Sequence, residues 1–259
     1  MKISLTYGIL LVLVCLVAAC NPYYYSSNVQ VSPLFKEKGE ARVNANILLA
    51  DGNEEPSVLF NGLNVQGAYA FTNHWGAFVN LMSGTNIDDK LFSATNGVKY
   101  GELALGYFKP VGESEKFIFE VYGGYGKGVL HNNYSISDAT NTIAKIGVDK
   151  LFIQPGIGLR KKNIEISMTT RVTYVANDFK TAPDYAVMHD YDIRDYEYAL
   201  KNKNPLYLEP AFNFRVGGER LKFNMNFVRP LNVTYSEYKQ QTYALTFGIQ
   251  YAFNLKKSK

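Results

Sequence analysis

The sequence predicts an all-β chain that closes into an antiparallel, up-and-down barrel of about ten strands. Three observations predict it. Apolar and polar residues alternate with period two over long segments. The connections between those segments alternate short and long. The polar face of the alternation is rich in Gly, Ala, Asn, Glu and Arg and poor in Lys, as suits the cramped inside of a barrel rather than a solvated outside.

Composition sets the outer bounds. The chain has 259 residues, 47% hydrophobic, which is ordinary for a folded protein and too apolar for a disordered one. A net charge of +4 with no Lys/Arg cluster leaves no nucleic-acid footprint, so nucleic acid is not an expected partner. Two cysteines cannot build a disulfide scaffold.

Taking the chain in order, Lys2 is followed by an apolar run from Ile9 to Ala19. One positive charge before a short apolar core is a secretory signal, expected to cover residues 1–19 and to be removed. The run is too short for a comfortable transmembrane helix. It ends in Val17-Ala18-Ala19-Cys20, which resembles a bacterial lipobox. The resemblance implies cleavage before Cys20, a thioether-linked diacylglycerol on its sulfur, and an acyl chain such as palmitate on its new amine. With Cys15 removed, Cys20 is the one thiol of the mature chain, and acylation accounts for a cysteine that has no disulfide partner in an oxidising compartment. Residues 20–38 hold Pro22, Tyr23, Tyr24, Tyr25, Ser26, Ser27 and Pro33 and show no sustained period. The expected structure is a lipidated tether along the membrane or the periplasmic wall of the domain, with its tyrosines at the lipid interface.

From Gly39 onward the pattern is strand after strand, near 40–50, 57–71, 74–83, 97–108, 116–128, 146–160, 164–176, 205–216, 220–231 and 240–254. In the last of these, Tyr243, Leu245, Phe247, Ile249, Tyr251 and Phe253 alternate with Ala244, Thr246, Gly248, Gln250, Ala252 and Asn254. Most segments exceed the roughly 5–6 residues of an ordinary strand. They match the roughly 9–11 residues that a tilted strand needs to cross a bilayer. Pro155 and Pro210 fall inside strands and predict bulges, because each deletes a ladder donor. The alternation slips near Val148–Lys150. Short connections stand at Thr72-Asn73, Lys109–Glu115, Lys161–Asn163 and Gly217–Glu219. Long ones are expected at Ser83–Asn96, Gly128–Lys145 and Asp178–Asn204. An even strand count puts both chain ends on the short-turn side, where a lipidated Cys20 in the periplasmic leaflet is expected.

The apolar face carries Tyr69, Phe71, Trp75, Tyr107, Phe117, Phe119, Tyr251 and Phe253 near the short turns, the pattern of an interfacial girdle. Residues 39–254 resemble the outer-membrane β-barrel families of Gram-negative bacteria, and Tyr251-Ala252-Phe253 resembles their terminal assembly signal. The departure is a basic tail, residues 255–259, beyond that signal. The resemblance implies a place in the cell outer membrane, insertion by the assembly machinery, and outer-membrane lipids as partners.

Three groups of residues are candidates for chemistry. The first is luminal charge. Counted from the short turns, Arg160, Glu165 and Arg215 fall at one height and Arg171 and Glu209 at another, with Glu102 and Glu120 expected opposite. Charges removed from water must pair, so the expected role is structural, with a narrow pore or proton path as the alternative. The second rests on a resemblance to ten-stranded omptin proteases, which implies an acidic and His-containing site on outer loops. Asp88, Asp89, His189 and Asp190 are the positions offered here, as two contiguous pairs where the family spaces its partners by one residue. The third is the outer loop around residues 183–200, where acidic residues interleave with tyrosines to give an adaptable contact surface for a protein or glycan, on a solvated loop or a short lid helix. Asp190, Asp192 and Asp195 have the oxygen chemistry for Ca²⁺ but lack the EF-hand glycine, so no metal or other cofactor is expected beyond the acyl groups on Cys20. The expected function is a non-enzymatic lipidated barrel with a mostly plugged lumen, serving envelope architecture or surface binding. The alternatives are a narrow channel, an omptin-like hydrolase, and a tethered soluble barrel that binds lipid.

Overall fold

The structure, a computed structural model, describes residues 24–50, 62–88, 93–137 and 140–255. Cys20, the signal segment, Asp89 and residues 256–259 of the basic tail lie outside the described residues. The strands are β1 (Glu40–Ala50), β2 (Gly62–Ala70), β3 (Trp75–Asp88), β4 (Ser93–Val111), β5 (Phe117–Ser137), β6 (Thr140–Arg160), β7 (Ile164–Thr181), β8 (Leu206–Gly217), β9 (Leu221–Val228), the two-residue β10 (Leu231–Asn232) and β11 (Ala244–Asn254). Each of β1 to β8 pairs antiparallel with the next. β9 pairs with β11, and β11 closes on β1 from Glu40↔Asn254 to Ala50↔Ala244. β10 extends β9 along the same edge of β8, so the barrel has ten staves. Both ends of the wall, Glu40 and Asn254, lie side by side at the short-turn end.

The two faces separate cleanly over the lower part of the wall. Leu103, Leu151 and Met168 point outward and are 65%, 63% and 64% exposed. Their chain neighbours Glu102, Lys150 and Thr169 point inward and are 2%, 1% and 3% exposed. The greasy face is therefore outside and the polar face inside, the reverse of a water-soluble barrel.

Toward the long-loop end the polarity inverts. Leu48, Met82, Val98, Leu130, Ile146 and Val148 point inward and form an apolar cluster. Outside, at the same height, Lys127 pairs with Asp149 at 3.4 Å, Tyr125 donates to the Asp149 carboxylate, and Asp178 and Lys180 are exposed. This inversion is the cause of the slip near Val148–Lys150: inward and outward positions keep their order, but the residue types filling them exchange. It also corrects the loop lengths. Gly128–Lys145 and Ser83–Asn96, expected as loops, are mostly strand, because β5 and β6 run on as a hairpin and β3 and β4 reach Asp88 and Ser93.

The prolines delete rungs without adding residues. Pairing of β6 with β7 stops at Ile153↔Val172 and resumes at Gly156↔Thr169 in unchanged register. Pro210 stands where β9 gives way to β10, again in one register. The expected bulges are therefore gaps. A bulge does occur on β7, where Lys180 has no partner between Thr181, facing Lys145, and Phe179, facing Ile146.

Candidate functional site

The lumen is filled by the protein's own N-terminal segment. Residues 24–35 run extended down the inside of the barrel, each no more than 2% exposed wherever its exposure is given. This corrects the expected tether: the segment does not line a membrane surface or the outside of the wall, and Tyr24 and Tyr25 are not at a lipid interface. The reason lies in its own composition. Backbone carbonyls and short polar side chains satisfy a polar interior that the wall strands leave open.

The carbonyls are held one after another. Lys150 Nζ donates to Ser26 O at 3.0 Å, Asn80 to Val29 O at 2.7 Å, and Gln154 to Val31 O at 2.8 Å. Lower down, Arg215 donates to Ser32 O at 2.8 Å and Arg160 to Leu34 O at 3.0 Å. Leu34 has φ +50°, a left-handed conformation that costs a leucine on the order of 1–3 kcal/mol. It is fixed on both sides, since its N–H donates to Glu120 at 3.0 Å. Below it, Leu34 and Phe35 pack with Ala70, Phe108 and Ile118 and close the short-turn end with an apolar stopper. The chain then reverses at Gly39, whose φ of +92° favours glycine, and enters β1.

The charges form one large cluster and one pair. Glu165 receives Arg42 at 2.6 Å, Arg215 at 3.3 Å, and Arg160 and Lys222 at 3.5 Å each. Arg160 also reaches Glu40 at 2.6 Å. The Arg160–Glu165–Arg215 group thus forms as the turn counting places it, with Arg42 and Lys222 added. Arg42 was legible, because Arg42, Asn44 and Asn46 alternate with Val43, Ala45 and Ile47. Arg171 and Glu209 are register partners on β7 and β8, yet they do not pair. Arg171 instead crosses the lumen to Glu102 at 3.1 Å and takes Gln154 at 2.8 Å, while Glu209 accepts from Tyr25 at 2.8 Å and Thr173 at 2.6 Å. The luminal segment causes this exchange: the Tyr25 hydroxyl occupies the place at Glu209 that the guanidinium was expected to take.

At the other end a lid closes the mouth. A 3-10 turn at Tyr185–Val187 leads into helix α1, Asp190–Lys201. Tyr196 and Ala199 of α1 enter the apolar cluster, and the Tyr196 ring lies 5.6 Å from Phe179 and 6.4 Å from Tyr24. Of the two forms open from sequence, loop or lid helix, the helix is the one present. Asp195 pairs with Lys239 at 3.6 Å across the rim. Burial holds the Asp192 carboxyl above its ordinary range; nearby His189 opposes this and Asp195 adds to it.

The hydrolase candidates do not converge among the described residues. His189 caps α1 without a side-chain capping bond and stacks on Tyr191 at 5.2 Å, and Asp190 is the first residue of the helix. Asp88 ends β3 at another hairpin, and its neighbour Asp89 is outside the described residues. Among the described residues no group of three His, Cys, Asp or Glu side chains is placed to hold a metal ion. A groove of about 650 Å³ lies on the outer wall where Pro155 and Pro210 interrupt the ladder, lined by Phe119, Ile157, Met168, Phe212 and Phe227, with Arg229 at its edge. No protein-family model matches the chain, and no curated protein is significantly similar to it.

Proposed function

We propose that the protein is a non-enzymatic β-barrel lipoprotein of a Gram-negative outer membrane, its lumen plugged by its own N-terminal segment, serving envelope architecture or surface binding through its lid and outer rim. The observation that carries this reading is the belt of exposed Leu, Ile, Val, Met and Phe on the outer wall around a lumen of buried Arg, Glu, Lys and Asn. Leaving one such apolar side chain in water forgoes about 1.5–3 kcal/mol of burial. A belt of them is tolerable only where the solvent is acyl chain. The girdle near the short turns, with Trp75 and Tyr107 edge to face at 5.9 Å, suits one interface, and the Lys127–Asp149 level suits the other.

A lipid-carrying soluble barrel needs an apolar hollow inside; this interior is polar at mid-height and is filled along its length by residues 24–35 and the side chains packed on them. On the proposed reading the partners are outer-membrane lipids, the assembly machinery, and a protein or glycan met by the acidic and tyrosine-rich lid. Exposed Tyr185 and Tyr191 offer that contact area at low entropic cost.

The test is fractionation of the wild-type protein and a Cys20→Ser variant. Both are expected in the outer-membrane fraction, resisting high salt and requiring detergent for release. Release of the Cys20→Ser variant into buffer without detergent overturns the reading. Planar-bilayer recording of the wild type is expected to give little or no steady conductance, and large steady single-channel currents overturn the plugged lumen.

A further inference from the structure

The direction in which residues 24–35 run has a consequence for the anchor. Tyr24 is at the long-loop end. Its N–H donates to Lys239 O at 3.0 Å, its hydroxyl meets that of Tyr134 near the top of β5 at 3.1 Å, and its ring packs beside Tyr196 of the lid. Gln241 N–H donates to Tyr25 O at 2.9 Å on the same rim. The other end of the segment is at the short turns, where Phe35 packs 5.5 Å from Phe108 and Lys38 N–H donates to Asn73 at 3.1 Å. The chain therefore descends the lumen from the long-loop rim and only then rises as β1.

Chain length fixes what this means for residue 20. A chain advances at most about 3.6 Å per residue, so the four residues from Tyr24 back to Cys20 reach at most about 14 Å. Residues 24–35 extended cover roughly 36 Å, the scale of a bilayer core and its interfaces. Cys20 is thus within reach of the long-loop rim and out of reach of the short-turn rim.

We infer that the luminal segment carries the mature N-terminus out through the long-loop mouth, so that the acyl groups on Cys20 enter the outer leaflet at the cell surface, on the opposite side from the periplasmic leaflet. This rests on the outer-membrane barrel reading above. No threading through a closed ring is needed to build it. The seam that closes the barrel joins β1 to β11, and the segment is continuous with β1, so the sheet can wrap the segment before the seam pairs. The sequence of carbonyl contacts from Ser26 to Leu34 then locks it, and the polar wall residues that make them are left without those partners if the segment withdraws.

The experiment uses full-length protein in its own cells and a membrane-impermeant maleimide. Three single substitutions are compared, Pro22→Cys, Asn53→Cys in the β1–β2 connection and Lys257→Cys in the tail, each checked for folding by its shift in gel migration on boiling. The expected result is labelling of Pro22→Cys and Asn53→Cys on intact cells, undiminished relative to permeabilised cells, with Lys257→Cys labelled only after permeabilisation. Pro22→Cys labelled only after permeabilisation, with Asn53→Cys labelled on intact cells, overturns the inference and leaves the barrel reading standing. Asn53→Cys silent on intact cells, or the protein absent from the outer membrane, overturns the barrel reading and the inference with it. The wild type is expected to stay unlabelled even in detergent, since its thiol is a thioether, and labelling there overturns the lipid anchor.

Discussion

At the residue scale the lumen is governed by how many cations one carboxylate must serve. Glu165 faces Arg42, Arg215, Arg160 and Lys222, with Glu40 sharing only Arg160. Removing one member of a buried ionic group costs more than the group contributes, because the remaining charges stay desolvated. Glu165→Ala is therefore expected to destabilise the folded barrel by about 3–5 kcal/mol in denaturant unfolding from detergent micelles. Tyr25→Phe removes one neutral donor to Glu209 while Thr173 remains, and is expected to cost only about 1–3 kcal/mol. Equal costs would contradict the assignment of Glu165 as the hub. Two inward glycines matter in a different way. A Cβ on Gly128 would fall 1.9 Å from the Tyr100 ring, and one on Gly106 would fall 2.3 Å from the Tyr122 ring, so aromatic side chains lie flat across bare backbone there. The sequence showed glycine on the polar face, but not that tyrosine rings are the reason for it.

At the element scale the lid and the wall were legible to different degrees. The strands announced themselves because one periodic signal, greasy outward and polar inward, runs through each of them where the surroundings are uniform. The signal weakens above Lys127 and Asp149, where charged residues face outward and an apolar cluster under the lid faces inward, so strand there reads as loop. The luminal segment reads as a tether for a related reason. An extended segment inside a polar lumen needs no period, since wall residues contact it from all sides, and twelve residues without a pattern read as a linker.

The lid makes two predictions. Tyr196→Ala removes a ring packed among Phe179, Tyr185 and Tyr24 and is expected to cost about 3–5 kcal/mol locally. Hydrogen exchange of residues 190–201 is expected to accelerate while exchange in the β5–β6 hairpin stays slow. The second concerns pH. Burial raises the folded-state pKa of Asp192 above its value in a free helix, so the docked lid binds a proton more tightly than the undocked one. Docking then strengthens as pH falls through the raised value, is strongest below the ordinary carboxylate range, and weakens as pH rises past the raised value. Protection of α1 amides is expected to rise on acidification toward the ordinary carboxylate range, and Asp192→Asn is expected to give the protected level at neutral pH with that pH dependence removed.

At the scale of the whole molecule the plug and the wall depend on each other. Deleting residues 24–35 leaves Lys150, Asn80, Gln154 and Arg215 without their main-chain acceptors and leaves water to fill the space. The deletion variant, refolded in detergent, is expected to show steady ionic conductance in planar bilayers that the intact protein lacks. A silent deletion variant that still folds would mean that side chains alone seal the lumen. The closed sheet, its strand order and the inward charges follow from alternation and turn lengths. The occupant of the lumen does not, because period and spacing describe the wall and are silent about what the wall encloses.

On the function proposed above, acyl chain surrounds the belt and protein fills the inside. Nitroxide labels at Leu103, Leu151, Ile153 and Ile157, set against labels at Ala104, Phe152 and Gln154, test it in lipid vesicles by collision with oxygen and with a water-soluble nickel complex. Frequent oxygen collisions and few nickel collisions are expected at the first set, and few of either at the second. Nickel collisions at Leu151 and Ile153 matching those of an exposed turn such as Glu113 would place water outside the wall and contradict it.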